Sequence, residues 1–539
     1  MKVSKYLFIS LYLFLTSFLS SLSFLYFFSL NKSILVEIEL MSVNSILYHF
    51  IFYLDWVCFM FIFIVTLISS LIFIYSSGYM GQECKKFLWL TFLFILFMLF
   101  MILSPSVLGV LLGWDGLGLI SYCLVIYYQS SDSFNSGFIT AATNRLGDAF
   151  LIVSVVWLSM DGEFGFWDSM KFPLFFVLAC MTKSAQFPFS AWLPAAMAAP
   201  TPISSLVHSS TLVTAGVYML IRFFFNFCET GGMIFLLIMS LFTVFCAGVM
   251  SLQEMDMKRL IALSTLGQLG FMMVILCLGY FYIALFHLLI HALFKALLFM
   301  CGGFIIHSSL GVQDLRKMGN LHYNNLIKVS LLVSSASLMG VPFSSGFYSK
   351  DALLELIMCS YGGLGMGLFM ISMALLTVTY SFRFFKCLSS NGSWVVWMSS
   401  DWDLNMSVYL LCMINIFMGF ILNMFISELY LVSLSTISKI LPLVLLISGV
   451  VWSGVSWFSL SKILMISSLM YLNPLSSGLM SMMYLQFMNY KLLDQGWLEG
   501  SLKMIKIIIL KYSFWMKNFL TDFFYFSSVG VLITLFMLM

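Results

Sequence analysis

Charge is scarce in this chain. Asp, Glu, Lys and Arg make up 9% of its 539 residues, whereas soluble domains carry about 25%. Hydrophobic residues account for 62% and the mean hydropathy is +1.05, so a soluble fold is excluded. The net charge of +3 is spread out with no basic tract, which excludes nucleic acid as a partner. CxxC pairs are missing too. The cysteines stand singly, most of them in apolar runs, as at Cys58, Cys123, Cys246 and Cys277, and read as small buried hydrophobes. Without an iron–sulfur or zinc pattern, any redox chemistry has to take place on another chain. The segment Gly113-Trp-Asp-Gly-Leu-Gly118 is rich in glycine but lacks the GxGxxG spacing, so no dinucleotide site is expected.

Long apolar runs are abundant. A membrane helix takes about 20 apolar residues. The run Tyr6–Ser29 is too long for a signal-peptide core and has no small-residue cleavage site, so it reads as a retained first helix. The polar, alternating stretch Asn31–Asp55 reads as an extended excursion outside the bilayer. Further helices are expected at Trp56–Ser77, Phe87–Ser104, Val107–Tyr128, Phe138–Met160, Ile203–Phe225, Met233–Met250, up to Gly279, Phe281–Ile306 and Leu326–Met339. Beyond them lie Gly363–Phe385, Leu404–Phe425, Leu441–Leu460 and Ile463–Met483. Between Ser501 and Asp522 the lysines fall on one helical side and the apolar residues on the other, the pattern of a helix lying in the interface. A last apolar run, Phe523–Met539, enters the bilayer.

Ionisable residues inside these runs are the functional candidates. A lysine at bilayer depth costs about 2.5–3.5 kcal/mol, and such groups usually face the bundle interior or an aqueous path. The stretch Met181–Gly216 holds Lys183 and His208 together with Pro188, Pro194, Pro200 and Pro202, prolines that break helices. Asp115 lies between glycines in an apolar run, and Arg145 and Asp148 are spaced to pair one turn apart. His287, His291 and Lys295 follow at i, i+4 and i+8 on one helical face. Gly340–Asp351 is a second Gly/Pro-interrupted segment and carries Lys350. Paired interrupted segments in two parts of a chain point to a transport site; here the parts are 87–227 and 228–390.

Plainer roles stand beside these. Asp148 can serve only to neutralise Arg145, and Asp256 only to complement a helix dipole. The His287/His291 pair can simply hydrogen-bond across the bundle. No carboxylate or cysteine accompanies the histidines at metal spacing, so a metal or haem site is not expected.

The segments GWDGLGLISYCLV, NRLGD, KSAQFPFSAWLPAAMAAPTPISSLVHSSTLVTAG, DMKRLIALSTLGQLGFMM, HALFKALLFMCGG and GFYSKD occur in this order between Gly113 and Asp351. Together they resemble the antiporter-like chain 5 family of mitochondrial NADH:ubiquinone oxidoreductase, respiratory complex I. The resemblance implies an all-α polytopic membrane protein of about 15–16 transmembrane helices. It further implies two inverted antiporter-like repeats with broken helices, and a C-terminal amphipathic lateral helix. Domains are expected at 1–86, 87–227, 228–390, 391–485, 486–522 (the lateral helix region) and 523–539.

By the same resemblance the chain translocates protons. Asp115 matches the family's paired carboxylate, Lys183 its lysine, Lys295 the central lysine and Lys350 the distal one. His208, His287 and His291 match histidines of the polar axis, and Asp148, Asp256 and Asp351 are accessory charged positions. Asp115 stands where many relatives have glutamate, a shorter reach that a bridging water can make up. The chain itself is expected to hold no cofactor; FMN, iron–sulfur clusters and ubiquinone belong to partner subunits. Expected partners are other complex I membrane-arm subunits, adjacent antiporter-like chains above all, and membrane lipids, with cardiolipin as a candidate. The expected location is the mitochondrial inner membrane. Two other readings compete, a cation/proton antiporter subunit of the Mrp type and a structural anchor whose charges only join helices.

Overall fold

The polar excursion after the first helix closes as a hairpin. The computed structural model describes residues 5–43, 46–81, 84–160, 173–227, 231–319, 325–359, 363–389, 401–427, 436–454 and 511. The loop Asp161–Lys171, the expected helix Ile463–Met483, the lateral region 486–522 apart from Lys511, and the terminal run 523–539 lie outside the described residues. The chain divides into two compact units, Met1–Leu469 and Met470–Met539, and the elements named here all belong to the first.

Helix α1 (Lys5–Leu30) is followed by strands β1 (Ile34–Val43) and β2 (Ile46–Leu54), which pair antiparallel from Ile34↔Leu54 with an irregularity at Glu39/Met41. Asp55 then caps α2 (Trp56–Met80), accepting the Cys58 N–H at 3.0 Å. Three helices follow: α3 (Lys85–Leu103), α4 (Val107–Val125) and α5 (Ser131–Met160). The last begins seven residues before the expected Phe138. The polar run from Ser131 is its first two turns, and the Ser130 hydroxyl accepts the Ser133 N–H at 3.2 Å; hydropathy alone hides such a start. Asn144, Arg145 and Asp148 are thereby moved to mid-helix.

The proline-rich stretch breaks as expected. Helix α6 (Leu174–Lys183) stops at Lys183, short turns α7 (Trp192–Ala195) and α8 (Thr201–Ile203) follow, and a π-helical segment, Ser204–Thr211, leads into α9 (Leu212–Arg222). Then come α10 (Gly231–Ser251), α11 (Met257–Cys277), α12 (Phe281–Ser308) and α13 (Asn325–Met339). Gly340, at φ +83, turns the chain toward α14 (Ser345–Cys359). Helices α15 (Gly363–Ser389), α16 (Trp402–Ser427) and α17 (Thr436–Gly454) complete the described fold. Among the described residues, eleven helical spans are long and apolar enough to cross a membrane, and Leu174–Lys183, Phe189–Ala198, Asn325–Met339 and Ile440–Ser453 are shorter apolar helices.

Long-range contacts sort the helix ends into two groups. Tyr6 donates to the Cys84 carbonyl, Tyr79 lies against His307, Ser77 donates to Asp403, and Arg383 donates to the carbonyls of Ser251 and Glu254. Their shared end carries Lys5, Lys85, Lys86, Lys258, Arg259, Arg316, Lys317, Lys328, Arg383 and Lys386. Opposite, Arg222 meets Asp55, Phe281 meets Phe224, and Phe28 meets both Trp56 and Phe425. Among the described residues, the basic positions at that end are Lys32, Arg222 and Lys439. Lysine and arginine are therefore concentrated at one end.

Candidate functional site

Helices α4, α5 and α6 bring Asp115, Asp148 and Lys183 to one place, with Trp114 between them. The Trp114 indole N–H donates to Asp148 Oδ1 at 2.9 Å, and Arg145 donates to the other carboxylate oxygen at 3.2 Å. Lys183 is 1% exposed. Its Nζ donates to the Trp114 carbonyl at 3.3 Å and lies 5.0 Å from the centroid of the indole ring. Glycines make this approach possible: a Cβ on Gly118 would lie 3.3 Å from Lys183 Nζ, and one on Gly147 would lie 2.1 Å from Thr182 Oγ1.

The resemblance pairs Asp115 with Lys183. In the structure Asp115 Oδ1 is buried without a hydrogen-bond partner, and no ion pair joins it to Lys183 among the described residues.

His208 sits in the π-helical segment, whose carbonyls are offset from the regular i→i+4 ladder; such segments recur at functional sites. It is buried, its ring is 6.2 Å from that of Trp192, and neither ring nitrogen has a partner. Nearly all of α12 is buried. On it, His287 is held from two sides, Nδ1 to Ser349 Oγ at 2.9 Å and Nε2 to Gln268 Oε1 at 3.0 Å. The carbonyl oxygen of Gln268 can only accept, so Nε2 carries the proton and the Ser349 hydroxyl donates to Nδ1. His291 is 6.4 Å away, ring to ring, and both its nitrogens lack partners. Lys295 donates to Ser264 Oγ at 2.5 Å.

Lys350, five residues into α14, turns back to the break. Its Nζ donates to the carbonyls of Leu338 and Met339 at 3.3 and 3.2 Å and to Thr377 Oγ1 at 2.6 Å. A helix leaves its last carbonyls unpaired, and here a lysine fills that role at the end of α13. Asp351, half-buried, lies beside Lys350 on the wall of a small cavity that Pro442 also lines. Asp256 stands apart. It is at the basic end near the start of α11, with Arg259 Nε at 3.5 Å and a side chain 39% exposed, which is the dipole-complementing position.

Sequence reasoning missed Trp114, Gln268, Ser264, Ser349 and Thr377, the neutral groups that hold the charged ones. The local signal for four of them was their position within quoted motifs, as where Trp114 precedes Asp115 in GWDG and Ser349 precedes Lys350 in GFYSKD, whereas Thr377 lies in none. Among the described residues, no group of three or more His, Cys, Asp or Glu side chains is placed to hold a metal ion.

Residues 104–377 match the family described as NADH:quinone oxidoreductase/Mrp antiporter, transmembrane, and residues 40–88 match the N-terminus of complex I NADH-ubiquinone oxidoreductase chain 5. NADH-ubiquinone oxidoreductase chain 5 of Aedes aegypti is 43% identical over 497 residues, covering 86% of this chain and 85% of that protein. The protein of the same name from Locusta migratoria is 42% identical over 499 residues, covering 86% of each. Among solved structures, the Mrp complex from Dietzia sp. DQ12-45-1b aligns with a TM-score of 0.72 at 23% identity, over 87% of this chain and 56% of that one. The membrane-bound sulfane sulfur reductase, an archaeal respiratory membrane complex, aligns with a TM-score of 0.71 at 20% identity, over 82% of this chain and 93% of that one. At these identities the two structures speak for the fold alone.

Proposed function

The chain belongs to the NADH-ubiquinone oxidoreductase chain 5 family, and from that premise we propose that its buried ionisable groups form a proton relay. It is a multi-pass, proton-translocating membrane subunit of NADH:ubiquinone oxidoreductase and works beside other membrane-arm subunits. The relay runs from Asp115, Asp148 and Lys183 through His208 to Lys295, His291 and His287, and on to Lys350. One observation carries this reading: among the described residues, three of the four buried lysines and the three buried histidines lie along this path, and Lys183 and Lys350 each stand at a broken helix. Each buried charge costs several kcal/mol in apolar surroundings, a cost that mere helix joining does not require.

Lys183 is the switch. Held by a carbonyl and an aromatic face, it has no formal counter-charge in contact. A carboxylate moving toward it favours its protonated form, and withdrawal releases the proton, because an opposite charge within about 4–6 Å stabilises the ion. Asp148 is restrained by Trp114 and Arg145 and Asp115 is not, so Asp115 is the group free to approach. His287, anchored on both nitrogens by Ser349 and Gln268, is held in a fixed orientation between Lys295 and Lys350.

The setting follows the family. FMN, iron–sulfur clusters and ubiquinone belong to partner subunits, and the membrane is the mitochondrial inner membrane, with cardiolipin among its contacts. Its basic end faces the matrix by the positive-inside rule. A cation/proton antiporter has less support, since the likeness to the Mrp complex is one of fold.

The test is proton yield. In the assembled complex in sealed vesicles, Lys183→Met and Lys350→Met are expected to lower protons moved per NADH oxidised. An unchanged yield in both variants overturns the relay.

A further inference from the structure

Tyr75, Tyr79 and Thr201 form a polar cluster that the relay from Lys183 to Lys350 does not use. Tyr75 is fully buried, and its hydroxyl donates to the Met300 carbonyl at 3.2 Å. A Cβ on Gly303 would lie 2.5 Å from that hydroxyl and 2.5 Å from Thr201 Oγ1. Only the bare backbone of glycine lets the two oxygens approach each other against α12. Thr201 Oγ1 lies on the same side of Gly303 as the Tyr75 hydroxyl and is buried without a hydrogen-bond partner.

The cluster has an outer and an inner end. Outward, the Tyr75 and Tyr79 rings stack with centroids 5.9 Å apart, and Tyr79 lies 5.3 Å from the ring of His307. His307 is in the last turn of α12 and exposed, at the basic end. Inward, Thr201 opens the span that reaches His208, with the hydroxyls of Ser204 and Ser205 between them, donating to the carbonyls of Thr201 and Pro202 at 2.9 Å each. Gly303 is two turns along α12 from Lys295. The break is held in place by Lys258, also buried, which donates to the Ala199 carbonyl at 3.1 Å.

We propose that His307, Tyr79, Tyr75 and Thr201 are the proton-uptake branch of the relay, supplying it from the basic end toward His208 and Lys295. This rests on the relay reading above. His307 takes a proton from water on one ring nitrogen and gives one up from the other. Each hydroxyl then accepts a proton on its oxygen as it releases the one it held. One proton has then moved inward with no change of charge, and the branch is reset when the His307 ring and each hydroxyl turn back to their starting hydrogen-bond directions.

The experiment uses the whole complex in sealed vesicles, with electron transfer and proton movement measured together. Tyr75→Phe/Tyr79→Phe, His307→Gln and Gly303→Ala are expected to lower protons per NADH by about half or more while NADH oxidation by the assembled enzyme persists. Tyrosines with a purely structural role would change the amount of assembled complex and leave the yield per NADH alone. If the double variant fails to assemble, Tyr79→Phe, which leaves the Tyr75–Met300 hydrogen bond intact, gives the reading. An unchanged yield in the tyrosine and His307 variants, with Lys295→Met lowering it, overturns the branch and leaves the relay standing. An unchanged yield in Lys295→Met overturns the relay as well.

Discussion

Lys183 rests on Trp114, with Nζ 3.3 Å from its carbonyl oxygen and 5.0 Å from the centroid of its indole ring. The same indole donates to Asp148, so one residue holds the lysine by its backbone and face and the carboxylate by its edge. Trp114→Phe keeps the aromatic face and removes the donor. A hydrogen bond to a charged group contributes about 1.5–3 kcal/mol. Its loss frees one oxygen of Asp148 to move toward Lys183 and favours the protonated lysine. Proton yield per NADH is expected to fall with little change in assembly, and Asp148→Asn in the same background is expected to add little. Additive losses in the double variant would show that Trp114 does not act through Asp148.

Lys350 has a structural task and a protonic one, and two substitutions separate them. Lys350→Met leaves the Leu338 and Met339 carbonyls without their donor, at a cost of about 1–3 kcal/mol for buried unsatisfied groups. It is expected to lower both assembly and pumping. Lys350→Arg keeps a cationic donor near those carbonyls but does not titrate. Assembly recovered without pumping, measured by native-gel abundance and vesicle acidification, is the expected result for the arginine variant; pumping recovered by arginine would rule out a protonic role.

The hairpin is fastened to α9 by an ion pair. Arg222 donates to Asp55 Oδ2 at 2.5 Å, with side chains only 11% and 12% exposed, and its guanidinium lies 4.4 Å from the centroid of Tyr53. Removing one partner of a buried pair costs about 3–5 kcal/mol because the other charge is left unpaired. Arg222→Met is therefore expected to reduce the thermal stability of the complex strongly. Adding Asp55→Asn should restore part of the loss, since the orphaned charge is gone. A double variant no more stable than Arg222→Met would contradict this account.

Glu254, in the turn between α10 and α11, offers a test by pH. Burial pushes its carboxyl up from the ordinary value and Asp256 adds to the rise, while Arg259 and Arg383 oppose it. A carboxyl raised on folding contributes stability that is complete below its unfolded pKa and is lost as pH rises through the folded one. Glu254→Gln removes that loss. The variant is expected to gain thermal stability relative to the parent as pH rises above the ordinary carboxylate range; an equal difference at all pH values would be evidence against a raised carboxyl.

How much of this was legible in the sequence differs from element to element. The bounds of α10, α11, α12 and α13 lie within a few residues of the hydropathy reading, because membrane insertion depends on local composition. The start of α5 was displaced because a polar, serine-rich turn carries no hydropathy signal. The π-helical segment was hidden for a related reason: SSLVHSST is a helix in composition, and the extra residue per turn is decided by what packs on it. Asp115 and Lys183 were both legible as candidates, whereas the indole between Asp148 and Lys183 was not.

By itself the sequence determined that the chain crosses a membrane many times, where its helices break, and which ionisable residues sit at apolar depth. These are local properties, set by the solvation cost of each side chain and by proline and glycine geometry. Only the tertiary structure decided which groups meet: Trp114 with Asp148 and Lys183, Arg222 with Asp55 across 167 residues, and Tyr79 with His307. Such meetings depend on how helices far apart in sequence pack. Hydropathy is nearly the same for every apolar face and cannot choose among them, whereas side-chain shape and glycine notches such as Gly118, Gly147 and Gly303 can.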